Sequence, residues 1–439
     1  MQYPAFMRVR KRRNSDKKFF RRFYMRIQCN QDFFHDKDNI PSFIAALGLM
    51  LEFFNICCSD FLEKYLEFFF VYSIINMFSR ERNVMLSRRD FIGSFSAAAA
   101  MGCVGNNVVV EDVMSTSVCL ENARQWFKSA QFGMMAHWGL YTLLGGEWNG
   151  QSTKHKYAEH IMSSARIPRA EYAALAKAFN PVLFNPKEWI MRARDAGMKY
   201  FVFTAKHHDG FAMYRSKVSG YNIVDATPFK RDVVSELADA CRVAGLKFGL
   251  YYSQDLDWDE PDGGGLKNEE GARRWGKKDA RNTWDWPADR DYDFSRYFES
   301  KCKPQVKEIL TQYGDLCLIW FDVPSTISRE QCLELQSMVR EYQSGCLING
   351  RLGYGIGDYS TPGDNMVADR NDALCETVGT MNDSWGYRPS DVNYKTVDEI
   401  KAIKAKCAAI GSNYMLNVGP DPLGRIPAPA IEILDGLKS

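Results

Sequence analysis

From about residue 120 onward, short apolar runs alternate with amphipathic stretches. The apolar runs are Phe132–His137, Lys199–Thr204, Leu246–Ser253, Leu316–Phe321, Cys346–Asn349, Met366–Ala368, Ala373–Glu376 and Asn413–Val418. Several are almost unbroken, as in parallel strands covered on both faces. Helical spacing of apolar positions occupies Glu171–Phe179, Lys187–Ala196, Val233–Val243, Tyr297–Gln312, Arg329–Tyr342 and Val397–Ala409. Gly197, Gly245, Gly314 and Gly411 stand just after helical runs, where a left-handed cap is wanted. The alternation predicts an α/β chain, and eight strand candidates predict a (β/α)8 TIM-like barrel. An open doubly wound sheet is the alternative, but no GxGxxG or GxxxxGK(S/T) run opens a helix here. The Gly263-Gly264-Gly265 run falls in a long loop rich in Asp and Trp, and reads as flexible connection.

The first 84 residues follow a different composition. They hold 14 of the 28 Phe, a single Gly (Gly48) and none of the ten Trp. Phe43 to Leu62 and Tyr65 to Phe78 are apolar but interrupted by Glu52, Asn55, Asp60 and Glu67, too soon for a membrane span. Residues 1–84 are therefore expected to be a disordered extension or to lie outside the natural product. At Met85 the chain reads MLSRRDFIGSFSAAAAMGC. Ser87 to Ile92 resembles a twin-arginine export signal, and a small-residue apolar run follows it. Residues 85–103 are thus expected to direct export, periplasmic or secreted, with 104–439 as the catalytic barrel. Cys103 is a candidate lipidation site and the one membrane attachment expected. The formal net charge of +2 gives no overall basic excess for a nucleic-acid partner. Twelve Cys without a CxxC pair exclude a disulfide scaffold or zinc finger.

In a barrel, chemistry collects at the C-terminal strand ends. Here those ends are His137-Trp138, Lys206-His207-His208-Asp209, Tyr251-Tyr252-Ser253, Trp320-Phe321-Asp322, Asn349-Gly350-Arg351 and Glu376, with Ser384-Trp385 beyond. Asp322 directly follows an apolar strand and is a candidate nucleophile. Adjacent His207 and His208 would point to opposite faces of a continuous strand, so they converge only if Asp209-Gly210 breaks it. Flat aromatic walls among hydroxyl-binding polar groups suit a sugar ring. Two alternatives stand beside a glycosidase: a metal-dependent barrel hydrolase and a catalytically weak carbohydrate-binding barrel.

These residues carry a resemblance. AHWGLY, GGEWNG, KHHDGF, YYSQDLDW, LIWFD, NGR, SWGY and SNYMLNVGPDPLGRIP, in this order from about Trp126 to the C-terminus, resemble the family 29 glycoside hydrolases, the α-L-fucosidases. The resemblance implies an irregular (β/α)8 barrel that hydrolyses terminal α-L-fucose from a fucosylated glycan with retention, without metal or other cofactor. It implies Asp322 as nucleophile. It also implies that His137, Glu147, Trp148, His207, His208, Tyr252, Trp320, Arg351 and Trp385 surround the fucose, with Tyr251 the alternative to Tyr252. Glu376 is the expected general acid, and Glu147, Asp257 and Asp364 are its rivals. Family members usually continue into a β-sandwich; this chain ends at Ser439, so either a barrel-only form or a truncated C-terminus is expected.

Overall fold

The computed structural model describes residues 107–267, 279–367 and 374–438. The extension, the export segment and Cys103 lie outside them. Val104–Ser439 forms one compact unit. Among the described residues no helix is long and apolar enough to cross a membrane.

Seven parallel strands make one curled sheet: β1 (Phe132–Ala136), β2 (Tyr200–Lys206), β3 (Lys247–Tyr252), β4 (Leu318–Phe321), β5 (Leu347–Ile348), β6 (Cys375–Thr380) and β7 (Ser412–Val418). Their order is β5-β4-β3-β2-β1-β7-β6. Between β5 and β6 the described residues supply only single parallel bridges, Asn349 to Tyr359 and Ser360 to Cys375. The eighth position of the barrel is therefore Tyr359–Ser360. The expected sixth strand was misplaced: Met366 and Val367 are irregular and exposed, and Ala368 lies outside the described residues. An irregular TIM-like barrel is the fold.

The helices follow local chemistry. Asn185 and Asp232 accept backbone N–H bonds as N-caps of α1 (Pro186–Asp195) and α2 (Val233–Ala244), and Pro186 sits at the first helical position. Ser328 and Thr396 open α4 (Arg329–Tyr342) and α5 (Val397–Ala409) with reciprocal capping boxes. The expected single helix over Tyr297–Gln312 is broken. A π turn at Phe298–Cys302 precedes α3 (Lys303–Gln312), where Pro304 denies Ser300 its carbonyl partner. Gly263 and Gly264 are not a flexible connection. Both are buried, and a side chain on either would strike Asp257 or Asp255.

Strand parity divides the core. Phe201, Phe203, Phe248, Leu250, Ile319 and Phe321 face the helices. Met135, Val202, Tyr251, Trp320, Val378 and Met415 fill the barrel interior, with Phe127 packed among them. This alternation decides which polar side chains at the strand ends share a cavity.

Candidate active site

A cavity of about 1060 Å³ opens at the C-terminal ends of the strands. Its wall includes His137 from β1, His207 and His208 after β2, Tyr251 from β3, Trp320 and Asp322 at β4, Arg351 after β5, and Trp385. Gly210, at φ +76°, makes the turn after β2 and its N–H bonds the His207 carbonyl at 3.1 Å. The two imidazoles consequently meet, with ring centroids 4.2 Å apart.

Asp322 is held at both carboxylate oxygens. Its Oδ1 accepts from Arg351 Nη1 at 2.9 Å and its Oδ2 from the Tyr251 hydroxyl at 3.0 Å. His208 Nε2 lies 3.9 Å from Oδ2. Burial raises the Asp322 carboxyl above its usual range; the guanidinium pulls it down, and the charge of Asp364 pushes it up again. Arg351 also donates from Nη2 to Asp364 Oδ1 at 2.7 Å. One guanidinium thus bridges two carboxylates, both on the cavity wall. Burial opposes the Arg351 charge, but these two acids hold it protonated above its ordinary value.

The histidines are neutral hydrogen-bonding groups at ordinary pH. Burial lowers His137 to about 4, against its hydrogen bond with Asn417, whose Oδ1 lies 2.7 Å from Nδ1. Burial, then the neighbouring imidazoles, push His207 and His208 well down. His208 Nδ1 pairs with Ser253 Oγ at 2.7 Å. His207 Nδ1 is buried without a hydrogen-bond partner among the described residues. Trp320 stacks on Tyr251 at 5.5 Å and 19°, and the Arg351 guanidinium lies 4.7 Å over the Trp320 ring. The site therefore offers apolar ring faces, neutral imidazoles and a paired acid–guanidinium cluster.

A family model for α-L-fucosidases matches residues 110–438. The chain belongs to the α-L-fucosidase family. A putative α-L-fucosidase of Caenorhabditis elegans is 30% identical over 328 residues, covering 69% of this chain and 62% of that protein. The tissue α-L-fucosidase of Rattus norvegicus is 29% identical, covering 69% and 64%. The chain thus spans a little under two thirds of the length of these relatives. The α-L-fucosidase AlfC of Lactobacillus casei, solved without ligand and with α-L-fucose product, is 50% identical at a TM-score of 0.68, covering 72% of this chain and 97% of that one. An α-L-fucosidase from Vibrio sp. strain EJY3 is 36% identical at a TM-score of 0.67, covering 72% and 54%.

Four expected positions of this fucosidase-family chain, and one rival acid, fall elsewhere. Glu376 does not line the cavity. Its strand begins at Cys375 and runs on to Thr380, so Glu376 is near the N-terminal end rather than at the mouth. Fully buried, it accepts from the Tyr200 hydroxyl at 2.7 Å and from Trp320 Nε1 at 2.9 Å. Tyr252 has the wrong parity: it faces α3, where its hydroxyl donates to Gln305 Oε1 at 2.9 Å. Glu147 and Trp148 form a two-residue hairpin with Gln151–Ser152. Glu147 is exposed there, and Trp148 packs against the outer core. Asp257, a rival acid, is buried between Lys206 and Lys301 at 2.9 and 3.1 Å, away from the cavity wall.

Tyr157, Glu159 and His160 are among the wall residues that had no expected role. Glu159 Oε2 accepts from the Gly386 N–H at 2.8 Å, and burial raises its carboxyl to about 7. The Ser384 hydroxyl bonds the Ala158 N–H at 2.9 Å. This pairing across more than 200 residues is invisible to local pattern. Among the described residues, no group of three or more His, Cys, Asp or Glu side chains is arranged to hold a metal ion.

Proposed function

We propose that the chain is an exo-acting α-L-fucosidase working by a retaining double displacement. The observation that carries it is the Arg351 guanidinium bridging Asp322 and Asp364 in the wall of an aromatic and imidazole-lined cavity. Retention needs two carboxyl groups roughly 5–5.5 Å apart, and Arg351 bonds both Asp322 and Asp364. Asp322, positioned by Arg351 and Tyr251, attacks the anomeric carbon. The leaving oxygen departs and a glycosyl-enzyme forms.

Asp364 replaces Glu376 as the proposed general acid. The acid must stand toward the leaving group, on the open side. The Asp364 side chain keeps 14% of its exposure, whereas Glu376 is sealed below. Glu159 is only 1% exposed, and its Oε2 is taken by a backbone N–H, which suits it to reading a sugar hydroxyl. When Asp322 becomes esterified its negative charge disappears. Asp364, having given its proton to the leaving oxygen, then takes one from the incoming water as that water attacks the anomeric carbon and releases Asp322. His137, His207 and His208 present neutral nitrogens to the hydroxyls, while Trp320 and Trp385 cover the apolar ring face.

AlfC has been solved with Fucα(1,6)GlcNAc. At 50% identity that complex supports a fucose on N-acetylglucosamine as the substrate end. Export through residues 85–103 is a separate proposal, supported by the twin-arginine run alone. The direct test of function is hydrolysis of 4-nitrophenyl α-L-fucopyranoside beside a panel of other aryl glycosides. Exclusive turnover of another sugar would overturn it.

A further inference from the structure

Three consecutive polar side chains follow β3, and each is fully buried: Ser253, Gln254 and Asp255. Each ends on a different part of the site. Ser253 Oγ meets His208 Nδ1 at 2.7 Å. Gln254 Oε1 accepts the Asp322 N–H at 2.8 Å, and its Nε2 donates to the Arg351 carbonyl at 3.2 Å. Asp255 Oδ2 accepts the N–H groups of Ser325, Thr326 and Ile327 at 2.9, 2.7 and 2.8 Å.

The reason these groups are needed is that both neighbours of β4 stop short of Asp322, β3 at Tyr252 and β5 at Ile348. The ladder of β5 with β4 pairs only Leu318 with Leu347 and Ile319 with Ile348. Beyond that the backbone of β4 loses its neighbour just before Asp322. The Asn349 carboxamide takes the next place, accepting the Phe321 N–H at 2.9 Å and donating to the Phe321 carbonyl at 2.8 Å. On the opposite edge of β4, beyond the last β3 pair of Tyr252 with Phe321, the Gln254 carboxamide receives the Asp322 N–H. Val323, the following residue, stands at φ +50°, a strained value for a β-branched side chain. The chain at Asp322 is therefore bent and unladdered, and side chains supply what a strand would have supplied.

We propose that Gln254 is a positioning residue for glycosylation. Its carboxamide ties the backbone of Asp322 to the backbone of Arg351, so that the carboxylate and guanidinium hold register as the sugar binds. This rests on Asp322 being the nucleophile. The two residues are thus joined twice, once through their side chains and once through Gln254.

The test replaces Gln254 by Met, which keeps volume and removes both hydrogen bonds, and by Glu, which keeps the acceptor. Small misplacements of reacting groups cost about 10²-fold. For Gln254→Met a kcat loss of about that size is expected on 4-nitrophenyl α-L-fucopyranoside, with KM and competitive inhibition by L-fucose nearly unchanged. Added azide should not rescue it, because the carboxylate is still present. Asp322→Gly, run alongside, should be rescued by azide; full activity there would refute the nucleophile and leave the Gln254 result to be judged separately. In Gln254→Glu the new carboxyl faces Arg351, Asp322, Asp255 and, through Arg351, Asp364. It can donate to the Arg351 carbonyl only when protonated. Its activity relative to wild type should therefore rise as pH falls, which a merely structural role would not produce. Should the Met variant fail to fold, the Glu variant's pH dependence decides. Wild-type kcat in Gln254→Met overturns the proposal, as does a raised KM at constant kcat or a pH-independent ratio in Gln254→Glu.

Discussion

Glu376→Gln separates the two assignments of the general acid and has a magnitude that follows from burial. Desolvation raises the Glu376 carboxyl from 4.5 to about 7, with the Tyr200, Trp320 and Tyr359 side chains opposing the rise. Between those values the folded protein binds a proton that the unfolded chain has released. Stability contributed by the protonated carboxyl is therefore complete below about 4.5 and falls as pH rises to 7. A shift of about 2.5 units corresponds to roughly 3 kcal/mol lost by pH 8. Glutamine cannot ionise, yet it satisfies the same partners: its carbonyl accepts from Trp320 Nε1, and its amide donates to the Tyr200 oxygen. Urea unfolding at pH 5 and pH 8 should show similar stabilities for wild type and Glu376→Gln at the lower pH. At pH 8 the variant should be the more stable by up to roughly 3 kcal/mol. Turnover of a natural fucoside should persist, because the carboxyl does not reach the cavity. Were Glu376 the general acid, that turnover would drop by about 10²–10⁴-fold. Such a drop, or a stability difference that does not change with pH, would refute the reasoning.

Asp322→Gly should lose turnover while keeping its fold, and azide should restore part of it and yield a β-fucosyl azide; retention of full activity would remove the nucleophile. Asp364→Ala should slow hydrolysis of natural fucosides by about 10²–10⁴-fold while sparing fucosylation by a dinitrophenyl fucoside, and azide should give the α-fucosyl product; equal losses on both substrates would mark Asp364 as a binding residue. Tyr251→Phe removes a hydrogen bond to a charged group, worth about 1.5–3 kcal/mol, and should raise the acidic limb of the kcat/KM profile. Tyr252→Phe, next to it, should leave that profile alone and reduce stability by about 1 kcal/mol; matching profiles for the two variants would contradict the parity assignment. Residues 85–103 fused to a folded reporter should export it only while Arg88 and Arg89 are both present.

Much of the fold was legible because its signals are local. Unbroken apolar runs marked β1 to β4 and β7, and cap residues such as Asp232 and Ser328 stand where the helices begin. The eighth barrel position was not legible. Tyr359–Ser360 makes one bridge to each side, and two residues between glycines carry no strand pattern. The π turn before Pro304 was likewise hidden, because the apolar spacing continues through it.

The site shows what a strand end can and cannot convey. Motif position located the carboxylates and aromatics, but only parity and register say which of them share a space. Tyr251 and Tyr252 differ by one residue, and that one residue sends the second hydroxyl to α3 instead of Asp322. Glu376 was misjudged by a register error of four: the apolar run before it looked like the body of a strand, whereas the strand begins there. The residues that replace a missing ladder, Asn349 and Gln254, carry no signature, since a buried carboxamide earns its place only from what lies opposite. The setting of Asp322 is accordingly made by contacts distant in sequence, Tyr251 from β3, Gln254 just after it and Arg351 from beyond β5. A transferred motif names the carboxylate, and the reach and ionisation of that carboxylate are properties of the neighbouring strands.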